Sequence, residues 1–181
     1  LSPVFETGVS TSVEELVGVL PSDSVRMPVP EFRQELPVAH RLAGFEQVQL
    51  AGGLLRAEVD NRLPVRLDTC WLDLPGMGVL HLGPVAAGAT VSRDLDLAGA
   101  AVDSMLVGTV RLWSAGTGQD SVWVRRSDSV MVRLVVDSVR LHSGRLRLGD
   151  SVRMGTERSS VSYLRTVHRV RLDTARFEQG L

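Results

Sequence analysis

From Phe45 onward the chain is a succession of short β-type runs punctuated by Gly, Pro and Asp-Ser pairs, with no helical periodicity between them. Ten such runs are read: 45–50, 53–60, 63–74, 78–82, 89–97, 104–113, 121–126, 129–142, 144–154 and 160–173. Several alternate strictly. Leu55, Ala57 and Val59 oppose Arg56, Glu58 and Asp60; Leu146 and Leu148 oppose Arg145 and Arg147; Val170 and Leu172 oppose Arg169 and Arg171. Alternation places one face on a core and the other in water, as antiparallel sheets do. Evenly spaced short strands without helices argue for an all-β, antiparallel β-sandwich, immunoglobulin-like or related, over an α/β fold. Val130 to Val139 is apolar in part on both faces and reads as a central or an interface strand.

Residues 1–44 read differently, and the expected division is an arm over 1–44 and a sandwich domain over 45–181. Ser12-Val13-Glu14-Glu15 is a capping box, and Val13, Leu16, Val17 and Leu20 form one apolar stripe, so a short helix is expected over 13–20. Pro21 should end it. Prolines in Met27-Pro28-Val29-Pro30 and Leu36-Pro37-Val38 then favour an extended segment unsuited to the middle of a sheet, an arm or an edge strand. Met27, Val29, Phe32, Leu36 and Val38 would give such an arm its docking side chains.

Asp-Ser-Val recurs at 23, 120, 128, 137 and 150, with Asp103-Ser104-Met105 as a relative. Asp and Ser bond their own backbone in turns and Val begins a strand, so the tripeptide marks turn-to-strand transitions. Its irregular spacing argues against a solenoid.

The 181 residues include no Lys and no Ile; all 20 basic residues are Arg, and Asn61 is the only Asn. Losing those residue types together is the mark of a GC-rich genome, and a high-GC bacterium or its virus is the expected source. Cys70 is the sole cysteine and lies in the apolar run Thr69-Cys70-Trp71-Leu72, where a buried, inert thiol is expected. No apolar run reaches the ~18 residues that a membrane helix needs. No signal peptide is visible, and a start at Leu1 fits a chain whose leader has been removed.

The stretch Val59-Asp60-Asn61-Arg62-Leu63-Pro64-Val65-Arg66-Leu67, followed by Asp96-Leu97-Ala98-Gly99, resembles bacterial envelope-associated β-domains of unknown function. More distantly it is similar to the water-stress and LEA14-like β-sandwich family. The resemblance implies a sandwich and no catalytic residue.

Catalytic and metal signatures are absent from the sequence. His40, His81, His142 and His168 lack metal-ligand spacing, and Gly116-Thr117-Gly118 reads as a turn and not a phosphate cradle. Neither a cofactor nor an enzyme activity is expected, although Asp94 or Asp96 with His81 would be the components of a hydrolase assembled across the fold. Charge is distributed unevenly: residues 1–60 carry −5, residues 61–120 carry −2 and residues 121–181 carry +6. Arg125, Arg126, Arg145, Arg147, Arg169 and Arg171 therefore either meet an external polyanion or are covered by the acidic arm. With few aromatics among them and no recognition helix, nucleic acid is disfavoured. Function is expected to be structural: self-association through the arm in an envelope, surface appendage or viral particle, giving a homo-oligomer outside the cytoplasm, extracellular or periplasmic. The alternative is an envelope binding module for an apolar ligand or an anionic glycan.

Overall fold

The structure is a computed structural model that describes residues 5–41, 45–146 and 175–176. Its elements run β1 (Phe5–Ser12), α1 (Val13–Val17), β2 (Ser24–Pro28), β3 (Phe32–Arg41), β4 (Phe45–Asn61), β5 (Thr69–Leu74) and β6 (Gly78–His81). There follow β7 (Thr90–Asp96), β8 (Ala101–Asp103), β9 (Met105–Ser114), β10 (Ser121–Arg125), β11 (Ser129–Leu146) and β12 (Ala175–Arg176). One sheet is ordered β1-β11-β4-β7, with β8 and β12 added on the extensions of β4 and β11. The other is ordered β3-β9-β5-β6, and β2 with β10 forms a separate ribbon. Every pairing between strands is antiparallel.

That order defines the topology. Setting aside β2, β8, β10 and β12, the chain visits the first sheet, the second, the first, the second twice, then first, second and first. Strand one pairs with strand eight, strand two with strand seven and strand three with both six and eight. This is the eight-stranded jelly-roll arrangement, two interlocked Greek keys closed face to face. The expected antiparallel sandwich is therefore the fold.

Period-2 alternation builds the core from both sheets. Leu55, Ala57 and Val59 of β4 and Val130, Val132, Leu134 and Val136 of β11 are buried from one side. Cys70, Leu72 and Leu74 of β5 and Leu106, Val110 and Leu112 of β9 meet them from the other. Burying each such side chain is worth roughly 1.5–3 kcal/mol, which sets the register, since a one-residue slip would expose the whole set. Val130 to Val136 belongs to a central strand, flanked by β1 and β4.

Of the two readings of the N-terminal segment, free arm or edge strand, the edge strand is the one that forms. β1 pairs with β11 along its full length and β3 pairs with β9 over ten residues, so both are edge strands of the sandwich itself. Val29, Phe32, Leu36 and Val38 are buried in the common core and Met27 is partly buried against it. Prolines led to the extended reading. At Pro37 the missing N–H is tolerated because β3 lies at a sheet edge. The helix is also shorter than 13–20. The capping box forms, with Glu15 N–H donating to Ser12 Oγ at 3.3 Å and Ser12 N–H to Glu15 Oε2 at 2.8 Å. Gly18 ends the helix before Pro21 is reached, adopting φ +93° and donating its N–H to the Glu14 carbonyl.

Other boundaries shifted for local reasons. The runs 45–50 and 53–60 are one strand, because Gly52 and Gly53 continue the ladder opposite Arg140 and Val139 and the extra residue Ala51 is taken up as a bulge of β4. Residues 62–68 form a loop with a single bridge, Leu67 to Val85, before β5 starts at Thr69. The run 104–113 is preceded by the separate β8, and 129–142 continues to Leu146. The run 160–173 and residues 147–154 lie outside the described residues. Asp-Ser does precede strands at 23, 120 and 128 and separates β8 from β9 at 103. At Asp137-Ser138 it coincides with a β-bulge inside β11, and the copy at 150 is outside the described residues.

Candidate functional site

Strand parity and register together bring one group of side chains onto the outer face of β3-β9-β5-β6. Cys70, Leu72 and Leu74 point into the core, so Thr69, Trp71 and Asp73 point out. On β9 the outward set is Met105, Val107, Thr109, Arg111 and Trp113, the inward neighbours being Leu106, Val110 and Leu112. Cross-strand register then lines up Glu35, Arg111, Trp71 and His81 as one row across all four strands. Three strand spacings make that row about 14 Å wide.

Trp113 sits one outward position further along β9, diagonal to Trp71. Such diagonal positions lie about 7–8 Å apart, within mutual reach of large rings. Two of the three tryptophans of the chain thus share one face. Both are held in place. The Trp71 and His81 rings are packed at a centroid distance of 5.5 Å and tilted by 45°, which leaves Trp71 40% exposed. Trp113 Nε1–H donates to Glu31 Oε1 at 2.9 Å, and Glu31 also pairs with Arg33 at 3.5 Å. Arg111 Nε–H donates to Glu35 Oε1 at 2.9 Å. Asp73, Thr109 and Val79 make up the next row, and Met105 and Val107 extend the face toward its other end. The result is an exposed sheet face with two braced indole rings bordered by donors and acceptors.

Neither tryptophan was singled out from the sequence as a binding residue, and His81 was read only as a hydrolase component. The parity of Trp71 against Leu72 and Leu74 was readable locally. The meeting of β5 with β9 and β6 is non-local, and only register places Trp71, His81, Arg111 and Trp113 together.

Sequence-derived candidates fare differently. Val29, Phe32, Leu36 and Val38 are consumed by the chain's own core, so they present no docking surface. Arg126 is neutralised internally, reaching Glu14 Oε1 at 3.3 Å, Asp23 Oδ1 at 2.9 Å and the Leu20 carbonyl at 3.4 Å. Arg133 likewise pairs with Glu6 at 2.6 Å, which holds the Glu6 carboxyl below its ordinary range. N-terminal carboxylates therefore meet arginines of the basic third within one chain. Arg125 is exposed on β10. Arg145 lies on β11, its side chain outside the described residues, as are Arg147, Arg169 and Arg171 altogether.

The hydrolase arrangement does not assemble. Asp94 accepts two hydrogen bonds from Arg56, at 2.9 and 3.3 Å, and this holds its pKa down. Asp96 Oδ1 accepts the Ala98 N–H at 2.9 Å in a turn. Both lie on β7 of the first sheet, whereas His81 lies on the outer face of the second. An open hollow of about 440 Å³ over Gly52, Gly53, Asp96 and Arg140 on the first sheet brings in no His81. Among the described residues no group of three or more His, Cys, Asp or Glu is placed to hold a metal ion, and no helix is long and apolar enough to cross a membrane.

Gly116-Thr117-Gly118 is the turn expected of it, with φ +71° and +61° at its glycines. Thr117 clamps Val29 by two contacts, its N–H donating to the Val29 carbonyl and its Oγ1 accepting the Val29 N–H, both at 2.9 Å.

No family model matches the chain, and no curated protein matches it. Solved structures do align with it. The C-terminal family 6 carbohydrate-binding module of LamC, a marine laminarinase from Zobellia galactanivorans, is 14% identical over 71% of this chain and 99% of that one, with a TM-score of 0.25. A family 29 carbohydrate-binding module, CBM29-2, is 10% identical over 72% and 92%, with a TM-score of 0.24. The structure of infectious bursal disease virus, Gx strain, is 10% identical over 75% and 38%, with a TM-score of 0.28. Overlap of that extent carries no argument about a ligand, which has to come from the chain's own surface.

Proposed function

We propose that this chain is a carbohydrate-binding module that holds a glycan on the outer face of β3-β9-β5-β6. The carrying observation is the pair of braced tryptophans, Trp71 and Trp113, on one sheet face. A sugar ring has an apolar C–H face and a belt of hydroxyls. Indole rings cover the first with large area at little entropic cost, because only two torsions are fixed. Arg111, Glu35, Asp73, Thr109 and His81 border the rings and supply donors and acceptors for the second. Since Arg111 is matched by Glu35 and Arg33 by Glu31, the face suits a neutral glycan. Polysaccharides of that kind are met outside the cytoplasm, and an extracellular or envelope location fits the reading.

Three of the four sheet edges, all but β1, are built against strand addition, which favours a binding module over assembly through them. At the β7 edge, Arg93 occupies the inward position between Val91 and Leu95, opposite buried Ala57, and still reaches solvent. On the β3 edge stands Pro37, and β6 has only four residues. Inward charges, edge prolines and short edge strands all block pairing with another chain.

Affinity electrophoresis through gels carrying soluble neutral polysaccharides (β-glucan, xylan, mannan) tests the proposal. Retardation by one polymer is expected, with Trp71→Ala and Trp113→Ala each weakening binding tenfold or more. A wild-type chain that migrates freely in every gel overturns it. So does a Trp71→Ala chain that keeps full retardation but changes its mass in light scattering, which would make the face a protein interface.

A further inference from the structure

A second surface lies on the ribbon of β2 and β10, away from the tryptophan pair just described. Val25 and Met27 of β2 and Val122 and Val124 of β10 turn toward the core, Val124 being fully buried. The outward positions are therefore Ser24, Arg26 and Pro28 on one strand and Ser121, Trp123 and Arg125 on the other. Register sets Trp123 directly opposite Arg26, with Arg125 two residues along the same face. Trp123 is 62% exposed, more than either tryptophan of the other face.

The combination of an exposed indole with two arginines marks this patch. Neighbouring Arg126 is neutralised by Glu14 and Asp23, whereas neither Arg26 nor Arg125 forms an ion pair with a described residue. Asp23 pairs with Arg126, and Asp128 accepts the Arg125 backbone N–H at 2.8 Å. An exposed indole thus stands beside two guanidinium groups that form no ion pair with a described residue. Guanidinium is the side chain whose fork matches a planar anion bidentately.

Size selects the occupant. Two five-residue strands give a face of roughly 17 by 10 Å, on the order of 170 Å². A stable protein partner covers about 800 Å² on each side, several times as much. One or two sugar rings fit, stacked on the indole with an acidic substituent on a guanidinium.

We infer that the β2–β10 ribbon binds an acidic polysaccharide through Trp123, Arg26 and Arg125, the recognised group being a carboxylate or sulfate on the sugar. The inference stands apart from the neutral-glycan face, since it uses none of the same residues.

The test is biolayer interferometry of the full chain against immobilised polygalacturonate, chondroitin sulfate, neutral β-glucan and poly-glutamate, in 50 and 300 mM NaCl. Binding to an acidic polysaccharide is expected, weakening at least tenfold at the higher salt. Polygalacturonate alone would identify the carboxylate, and chondroitin sulfate with loss of binding to its desulfated form the sulfate. Trp123→Ala should cost tenfold or more, and Arg26→Gln with Arg125→Gln should also remove the salt dependence, while Trp71→Ala changes neither. All three positions are outward on the ribbon, so circular dichroism should match the wild type. No binding to either acidic polysaccharide, binding to poly-glutamate alone, or unchanged affinity in Trp123→Ala overturns the inference.

Discussion

The side-chain amide of Asn61 donates to the main-chain carbonyl of Val85 at 3.2 Å, tying the end of β4 to the loop that leads into β7. The same amide reaches the carbonyls of Val65 at 2.9 Å and Ala86 at 3.0 Å, and Asn61 Oδ1 accepts the Leu63 N–H at 3.1 Å. A fully buried side chain thus organises two loops, 62–68 and 82–89, that contribute no strand pairing beyond the Leu67–Val85 bridge. This explains why the sole Asn of the chain stands where it does.

Asn61→Ala should destabilise the chain by ~3 kcal/mol, because it strands the buried Leu63 N–H and Val65 carbonyl, while Val85 and Ala86 keep a backbone donor each. Asn61→Asp keeps the shape but replaces the donors with a charge facing carbonyls, and should be at least as damaging. Urea unfolding followed by tryptophan fluorescence measures both; a loss under ~1 kcal/mol for either would refute the clamp.

Arg93→Val should leave the fold intact but convert β7 into a sticky edge. Its inward charge is what keeps another strand from adding beside Val91 and Leu95. Light scattering at rising concentration should show association of the variant at concentrations where the wild type does not change; equal behaviour would mean that the charge is idle.

Burial pushes the Cys70 thiol up to about 12. A thiol-reactive dye should therefore ignore the native chain and label it in urea. The sign of the linked stability follows. An unfolded thiol ionises near ~8.5 while the folded one resists, so this contribution is full below about pH 8.5 and is lost as pH rises toward 12. Cys70→Ala should remove that part of the alkaline loss, as read by urea midpoints across the pH range.

Glu6, Glu15 and Asp94 all have carboxyl groups held below their ordinary values. For Glu6 and Asp94 the first cause is a hydrogen bond from Arg133 or Arg56; for Glu15 it is the Ser12 backbone N–H. Lowered values mean stability present above the unfolded pKa and lost as pH falls through the folded one. Stability should therefore decline below about pH 4.5, gently, since all three groups are exposed and screened by salt. Glu6→Gln with Asp94→Asn should flatten part of that decline; an unchanged acid profile would deny the pairs any role.

Much of this was legible locally. Alternation at Leu55 to Asp60 gave the buried and exposed faces of β4, and Ser12 with Glu15 gave the helix start. Turn chemistry at Asp120-Ser121 and Asp128-Ser129 gave strand starts to the residue. Where local rules misled, a neighbour across the sheet had supplied what the segment lacked. Proline made 27–38 look like a free arm, but Trp113 to Met105 offered a partner strand and the core took Phe32, Leu36 and Val38. Gly52-Gly53 looked like a break, yet Arg140 and Val139 of β11 pair with it and the Arg140 side chain covers Gly52.

By itself the sequence determined the all-β class, because the period-2 burial pattern, the capping box and the Asp-Ser turns each depend on residues within a few positions of one another. Tertiary structure alone decided the jelly-roll order, the absorption of the N-terminal strands and the two candidate binding faces. Trp71 and Trp113 are 42 residues apart in the chain and Arg26 and Trp123 are 97 apart. No local signal spans such separations; only antiparallel register, fixed by burying one face of each strand, brings those side chains together.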